Sequence, residues 1–353
     1  MNQDQAIPTA SNSSMLNIPA VRAWLGSHTE LSGDLRAERI PGGRSHLTYV
    51  LSDAAARRFV LRRPPDGERL PGAHDIQREY AVVASLHGTD VPVARPIAYC
   101  GDPEVTGAEF SVSRFVAGHT LRTPADVSAL TPAGRGALTS HFAETLATLH
   151  RVDIEAVNLP PTTGEDYLQR QLHVWQRQLD ATEGRTLPLV RRIAADLLSG
   201  APRQRRTSIV HGDYRLDNVL LSDDGQVLAV IDWELWSVGD PLADLGATLA
   251  CWIEPADELN PLGSSPTTNP SLGSRDDLVE SYASASNLAI DSSDIGYYLA
   301  FGTWRFAAIL EGVYRRNQSG AYGDHTDDGD WRRFEVVVPR LLERAADHLS
   351  AVR

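Results

Sequence analysis

The stretch Ile209-Val210-His211-Gly212-Asp213-Tyr214-Arg215-Leu216-Asp217-Asn218-Val219-Leu220-Leu221 offers a carboxylate, Asp213, and an amide, Asn218, with four residues between them. An apolar run leads into these polar residues and another leads out. A loop pinned between two buried strands is rigid, which suits catalytic positioning. The turn signal Asp223-Asp224-Gly225 follows. Beyond it, Val230-Ile231-Asp232-Trp233-Glu234 ends an apolar strand on a second carboxylate, Asp232. Two carboxylates and an amide at strand ends are the hard oxygen donors that suit Mg2+, which usually takes one or two carboxylates together with substrate phosphates. Taken singly, Asp213 could cap a turn and Asp232 could merely end a strand. The combined spacing is what argues for chemistry.

A second constellation lies near the N-terminus. Over Asp75 to Leu86, stepping about 100° per residue places Glu79 between Val83 and Leu86 on the apolar face of a helix. A carboxylate on an inward face needs a partner, because a buried unpaired charge is costly. Arg62, on the strand Phe59-Val60-Leu61-Arg62, is the natural one; strand alternation aims the alternative, Arg63, at the opposite face. The segment Pro41-Gly42-Gly43-Arg44-Ser45-His46 sits between two strand segments. Paired glycines let backbone N–H groups approach phosphate, and a plain hairpin turn accounts for the same residues equally well.

The elements that must position these groups change character along the chain. Asn17 to Leu25 and Asp75 to Leu86 read as helices, and Leu35–Ile40, Leu47–Ser52, Arg58–Arg62, Val93–Cys100 and Glu109–Phe115 as strands. From Pro132 the period becomes helical, with Leu138, Phe142, Leu146 and Leu149 on one face. Asp166–Ala181 and Leu187–Leu198 follow as helices, the hairpin region 208–232 interrupts, and helices resume at Leu242, Asp276, Ile295 and Trp331. The stretch Glu254 to Arg275, dense in Pro, Ser, Asn and Gly, reads as a lid or, in preference, a mobile segment. Residues 1–15 read as a mobile tail. The expected organisation is an N-terminal β-rich lobe over 16–117 and a mainly helical lobe over 118–353, with the chain crossing near Val116 to His119.

The length of 353 residues, at about 150 per domain, agrees with two lobes, and 42% hydrophobic with 22% charged residues is ordinary globular composition. The 33 basic residues, against 46 acidic ones, are all arginine, and the net charge is −13. That balance argues against nucleic acid as a partner, and the absence of lysine excludes Schiff-base chemistry and a P-loop lysine. The two cysteines, Cys100 and Cys251, support neither a disulfide framework nor a zinc ribbon, so a reduced, cytoplasmic setting is expected. The polar N-terminus does not read as a signal peptide, and no apolar run approaches the ~18 residues of a membrane helix, so neither a leader nor a membrane partner is expected.

His211-Gly212-Asp213 with Asn218, then Ile231-Asp232-Trp233-Glu234, then Gly239-Asp240-Pro241-Leu242-Ala243-Asp244-Leu245 resembles the catalytic and metal-binding loops of the aminoglycoside phosphotransferase-like kinases. That family includes choline kinases and is distantly related to protein kinases. The resemblance covers about residues 40–316, and its wording is most similar to the kinase-like domains associated with acyl-CoA dehydrogenases. It implies an α+β, bilobal protein-kinase-like fold with a small β-rich N-terminal lobe. It also implies a small-molecule kinase that moves the terminal phosphoryl group of ATP or GTP to a hydroxyl with Mg2+.

By the resemblance, Asp213 is the catalytic base, and Asn218 and Asp232 hold the metal. Arg62 with Glu79, Gly43, Ser45 and the hinge residues Arg114 and Val116 bind the nucleotide. Arg215, Trp233 and Glu234 face the acceptor, while His211, Asp240 and Asp244 brace the catalytic loop. Trp304 and Arg305 fall on a late helix where family helices close the acceptor cleft. The expected acceptor is a hydroxylated small molecule, a hydroxyacyl-CoA or other metabolite in preference to an aminoglycoside. Two positions depart from the family: Arg62 replaces a lysine, and an arginine is a bulkier fork than a point charge; His46 replaces an asparagine. These departures support an alternative, a nucleotide-binding regulatory module (a pseudokinase) of the same fold; a third reading is an interaction domain for an acyl-CoA enzyme.

Overall fold

The computed structural model describes residues 16–40, 46–65, 75–159, 166–320 and 330–352. The tail 1–15, the glycine segment with Gly43 and Ser45, and most of the Pro64–Gly72 loop lie outside the described residues. The chain divides into two compact units, Met1–Ala84 with Ala94–Phe115, and Ser85–Val93 with Val116–Arg353.

The first unit runs α1 (Ile18–Gly26), β1 (Leu35–Ile40), β2 (Leu47–Asp53), β3 (Arg58–Arg63), α2 (Ile76–Leu86), β4 (Pro96–Cys100), α3 (Pro103–Thr106) and β5 (Phe110–Arg114). The strands pair antiparallel in the order β1-β2-β3-β5-β4. Along β2, burial alternates from Leu47 to Asp53. Leu47, Tyr49 and Leu51 therefore join Phe59, Leu61, Phe110 and Val112 in one core, which α1 completes with Val21 and Leu25. Asn17 starts α1 by accepting the Ala20 N–H, and Pro19 supplies a fixed φ in the first turn. The sheet presents Arg62 and Arg63 to opposite sides, as strand pleating requires.

The second unit runs α4 (Pro124–Val127), α5 (Pro132–Arg151), α6 (Tyr167–Asp180), α7 (Pro188–Ser199), β6 (Ser208–Val210), β7 (Val219–Leu221), β8 (Val227–Val230), β9 (Ser237–Gly239), α8 (Pro241–Cys251), α9 (Arg275–Ser286), α10 (Ser292–Gln318) and α11 (Phe334–Ala351). Its helices begin on strong caps: Thr131 before α5, Asp240 before α8, and the capping boxes Ser274/Asp277 and Asp291/Asp294 before α9 and α10. Helices α8 and α10 cross with their backbones in contact. A Cβ at Gly246 would lie 2.1 Å from the Tyr298 carbonyl oxygen, and one at Gly302 would lie 2.3 Å from that of Gly246.

Two expectations change, and one strand is added. β4 begins at Pro96 rather than at Val93, which instead makes an isolated bridge to Val230 within the second unit. The short strand β9 carries no apolar alternation in its sequence; only its pairing with β6 makes it a strand. The stretch Glu254 to Arg275, expected to be mobile, is packed: Leu259, Ser265 and Thr267 are buried, and the Thr267 hydroxyl bonds both the N–H and the C=O of Ile253. Arg275 pairs with Glu254 and Asp257, and Asp257 also receives Arg344 of α11 at 2.6 Å. Its polar composition serves its own backbone hydrogen bonds rather than solvent. Among the described residues no helix is long and apolar enough to cross a membrane.

The helix crossing yields a stability test. Gly302→Val is expected to cost about 3 kcal/mol or more in urea denaturation, because the facing backbone cannot yield. Gly136→Ala, at an exposed α5 position with nothing within 4 Å, is expected to stabilise by about 1 kcal/mol.

Candidate active site

Strand β6 is fully buried and is held by β9, with Ser208 opposite Gly239 and Val210 opposite Ser237. The chain leaves β6 through His211 to Arg215, makes a 3-10 turn at Leu216–Asn218, and enters the β7–β8 hairpin. The hairpin tip is seated on the start of α5. Thr131 donates its N–H to the Asp223 carbonyl, and Gly225 lies so close to Gly134 that a Cβ there would be 2.3 Å from the Gly134 oxygen. Gly225 also adopts φ 71, a conformation that favours glycine.

One carboxylate shapes the loop. Asp244, 1% exposed on α8, accepts the N–H of His211 at Oδ2 (2.6 Å) and that of Gly212 at Oδ1 (2.9 Å). His150 Nε2 meets Oδ2 at 3.2 Å, and His150 Nδ1 contacts the Tyr282 hydroxyl at 2.7 Å. Burial works to raise the pKa of Asp244. The hydrogen bond and charge of His150, with His211, outweigh it and hold the group below the usual carboxylate value. Gly212 takes φ 82, and a Cβ there would lie 2.5 Å from the Leu235 oxygen, so only glycine passes.

His211 is wholly buried. Its Nε2 faces the Ile231 carbonyl at 3.0 Å, and its Nδ1 receives the Asp213 N–H at 3.2 Å. A carbonyl only accepts and an amide only donates, so this assigns the neutral ring with hydrogen on Nε2. The imidazole thus ties the loop carrying Asp213 to the residue before Asp232.

Asp213 is partly exposed. Its Oδ2 accepts Asn218 Nδ2 at 2.9 Å, and the same nitrogen donates to the Asp213 carbonyl at 2.8 Å. With its nitrogen committed, Asn218 is left to offer Oδ1 as an oxygen ligand. Asp232 follows directly, since Ile231 donates its N–H to the Asn218 carbonyl at 2.9 Å. Asp232 itself adopts φ 66 and ψ 62, a left-handed conformation unusual for a residue with a side chain and typical of functional turns. The three oxygen-bearing residues are therefore neighbours, with a donor set of the hardness Mg2+ requires.

The remaining candidates divide. Arg215 pairs with Asp213 at 3.1 Å and with Asp217 at 3.0 Å, so its fork holds both carboxylates of the loop. Burial pushes Asp217 up, against the opposing charge of Arg215. Trp233, expected to wall the acceptor, is instead 2% exposed: its indole donates to the Val230 carbonyl and its ring packs on His211 at 4.7 Å. Glu234 is half-buried in the 3-10 turn Trp233–Leu235. Trp236 and Trp304 are core residues as well, Trp304 donating to the Val190 carbonyl. Asp240, expected to bond the catalytic loop as Asp244 does, instead caps α8 through the Leu242 N–H and accepts the Tyr298 hydroxyl.

In the first unit, Arg62 Nη2 lies 3.4 Å from Glu79 Oε2, and Glu79 is 7% exposed. His46 joins them: its Nδ1 accepts from Arg62 at 3.0 Å and its Nε2 faces Glu79 at 3.4 Å. Sequence reasoning set His46 aside as a departure; its buried place between a cation and an anion follows only from the pairing of β2 with β3. Arg63 points the other way and donates to the Thr106 carbonyl at 2.6 Å. The Arg114 N–H is engaged by the Arg95 carbonyl at 2.8 Å, and its guanidinium lies over Phe59, so its amide is committed within the sheet. Val116 begins the second unit's main segment. His150 was missed as well; it follows Leu146 and Leu149 on the apolar side of α5, and that position is the signal that marks it.

The model of a family described as "Phosphotransferase enzyme family" matches residues 36–262. A candidate aminoglycoside phosphotransferase from Ralstonia eutropha is 30% identical, with a TM-score of 0.76 over 94% of this chain and 99% of that one. Acyl-CoA dehydrogenase family member 11 of Gallus gallus is 34% identical over 92% of this chain, and family member 10 of Mus musculus 32% over 85%. The chain spans only 42% and 28% of those two relatives' lengths. A choline kinase of Cryptosporidium parvum shares the fold at 12% identity, with a TM-score of 0.63 over 90% of each chain. The architecture is the α+β, bilobal protein-kinase-like one.

Asp244 makes the loop's stability depend on pH. Its folded-state pKa lies below the unfolded value of about 4, so its contribution is complete above that value and is lost as pH falls through the lower folded one. Asp244→Asn offers an amide nitrogen where an acceptor is needed and is expected to cost roughly 3 kcal/mol at neutral pH. Urea denaturation across a pH series should show the difference from wild type shrinking below pH ~4.

Proposed function

Since the chain belongs to the phosphotransferase enzyme family, we propose that it is a Mg2+-dependent small-molecule kinase that passes the terminal phosphoryl group of ATP to a hydroxyl of a small acceptor, with Asp213 as the base. The observation that carries this reading is the convergence of Asp213, Asn218 and Asp232, linked by the Asn218–Asp213 hydrogen bonds and the Ile231–Asn218 backbone bond. GTP is the alternative donor.

Asp213 accepts the proton of the attacking hydroxyl as its oxygen bonds the terminal phosphorus and the bond to the leaving nucleotide oxygen breaks. Asn218 and Arg215 fix the two oxygens of this carboxylate, so its remaining lone pairs meet the hydroxyl in one orientation. In this chemistry positioning and electrostatics supply nearly all of the rate enhancement. Asn218 through Oδ1 and Asp232 through its carboxylate are the residues that would hold Mg2+. The ion, when bound, neutralises charge on the phosphates. Arg62, oriented by Glu79 and His46, is the cation proposed for the nucleotide phosphates. The backbone around Arg114 and Val116 is proposed for the base; Gly43 and Ser45 are proposed for the phosphates. The curated relatives bear the name of acyl-CoA dehydrogenases, which favours an acyl metabolite as acceptor over an aminoglycoside.

Asp213→Asn is expected to lower kcat by about 10²–10⁴-fold while ADP binding, followed by calorimetry, is retained. Asp232→Asn should raise the Mg2+ concentration needed for half-maximal rate. Nucleotide binding with no turnover on a panel of hydroxylated acceptors would instead mark a nucleotide-binding module, the reading that Arg62 in place of lysine favours.

A further inference from the structure

Arg305 of α10 is 4% exposed, and among the described residues it has no hydrogen bond and no ion pair. Its Nε is enclosed, and its one contact of note is the ring of Trp175 on α6, with the guanidinium carbon 5.7 Å from the centroid. The indole Nε1 of Trp175 is enclosed and equally without a hydrogen-bond partner. Guanidinium and indole nitrogens are donors only, so neither can satisfy the other.

The other buried arginine of the same helix is treated differently. Arg315 donates to Glu311 and to the carbonyls of Leu179, Thr182 and Arg185. Nearly all buried polar groups find partners, and a buried cation left alone is strongly unfavourable. Two adjacent enclosed donors, one of them charged, are complementary to an oxyanion.

Their place in the fold ties them to the catalytic loop. Gly302, where α10 touches α8, precedes Arg305 by one turn, so both lie on the same side of the helix. Cys251, the last residue of α8, has its thiol pushed up to about 12 by burial, and it sits in the field of Arg215, Asp213, Asp217 and Arg305 together. Arg305 and Asp213 thus both act electrostatically on Cys251, and Trp175 lies against Arg305.

We propose that Arg305 and Trp175 form an oxyanion subsite that takes a carboxylate or phosphate group of the acceptor, so that the substrate is a hydroxylated metabolite bearing an anionic group. This inference rests on the phosphoryl-transfer reading for its acceptor, though not for the anion site itself. Trp175 supplies a neutral N–H and Arg305 the charge, and a cationic acceptor is disfavoured by the same guanidinium.

The test uses the full chain saturated with Mg2+ and ADP, so that the nucleotide's phosphate-binding groups are occupied. Sulfate is the oxyanion probe, read by thermal shift and calorimetry. Wild type is expected to be stabilised, Arg305→Gln to lose the effect, and Trp175→Phe, which keeps the ring and removes the N–H, to weaken it. With ATP, a hydroxy acid, its phosphate-ester counterpart and the matching diol are compared as acceptors. The ratio of kcat/KM for an anionic acceptor over the diol is expected to fall at least ~30-fold in Arg305→Gln. The better of the two anionic acceptors identifies carboxylate or phosphate as the group bound.

Equal sulfate stabilisation of wild type and both variants overturns the proposal, as does an unchanged acceptor ratio, and the phosphotransfer reading survives either result. Sulfate protection that depends on Arg305 and Trp175, with no transfer to any acceptor, supports the anion site and removes the phosphotransfer reading instead. Should Arg305→Gln fail to fold by circular dichroism, Trp175→Phe and Arg305→Lys carry the same comparison. Lysine keeps the charge without the fork and should retain part of the sulfate effect.

Discussion

A single carboxylate buried in the second unit imposes most of the local geometry. Asp244 cannot be solvated, so it must be given donors; the amides of His211 and Gly212 cannot be solvated either, so they must be given an acceptor. Each requirement meets the other. The result forces Gly212 into a left-handed conformation, and so decides where Asp213 emerges from the turn. His150 closes the arrangement from behind, with Tyr282 beyond it, so α5, α8, α9 and β6 share one polar knot inside an apolar surround. A loop held in this way is fixed in advance, which suits the phosphoryl transfer proposed for it.

The same logic of mutual satisfaction organises the arginines. With no lysine in the chain, every basic side chain is a planar fork with several donors, suited to bracketing carboxylates and carbonyls. Arg215 spans Asp213 and Asp217, Arg275 spans Glu254 and Asp257, and Arg185 reaches Glu311 together with the carbonyls of Phe334 and Glu335. Among the buried arginines of the described residues, Arg63 and Arg315 have acceptors and Arg305 has none. In the first unit Arg62 is served by Glu79 and also by His46, whose Nδ1 accepts from Arg62 and whose Nε2 lies 3.4 Å from the Glu79 carboxylate. A forked cation at this position thus comes with an additional brace that a lysine would not need.

Local signals were strong where one element decides the outcome. Alternation in β2, the Asp-Asp-Gly turn, and the capping residues of α9 and α10 act within a few positions of themselves, and the elements appear where those residues place them. Signals failed where satisfaction comes from elsewhere in the chain. β9 is a strand only because β6 lies beside it. Trp233 has the look of an exposed aromatic after a polar turn, but the Val230 carbonyl and the His211 ring draw it inward. The Pro- and Ser-rich stretch after α8 reads as mobile by composition, whereas Thr267, Asp257 and Arg344 fasten it.

The sequence by itself determined the chemistry available: which residues carry side-chain oxygens, their spacing along the loop, the inward place of Glu79, and the pairing of Arg62 with it, because periodicity and the cost of a lone buried charge are properties of short segments. Only the tertiary structure decided which donors and acceptors remained uncommitted. It turned Asn218 so that its oxygen is left over, made Asp244 rather than Asp240 the brace of the loop, and left Arg305 and Trp175 facing each other without an acceptor. Those outcomes depend on residues separated by as many as 130 positions. A hydrogen bond is settled by distance in space, on which distance along the chain is silent.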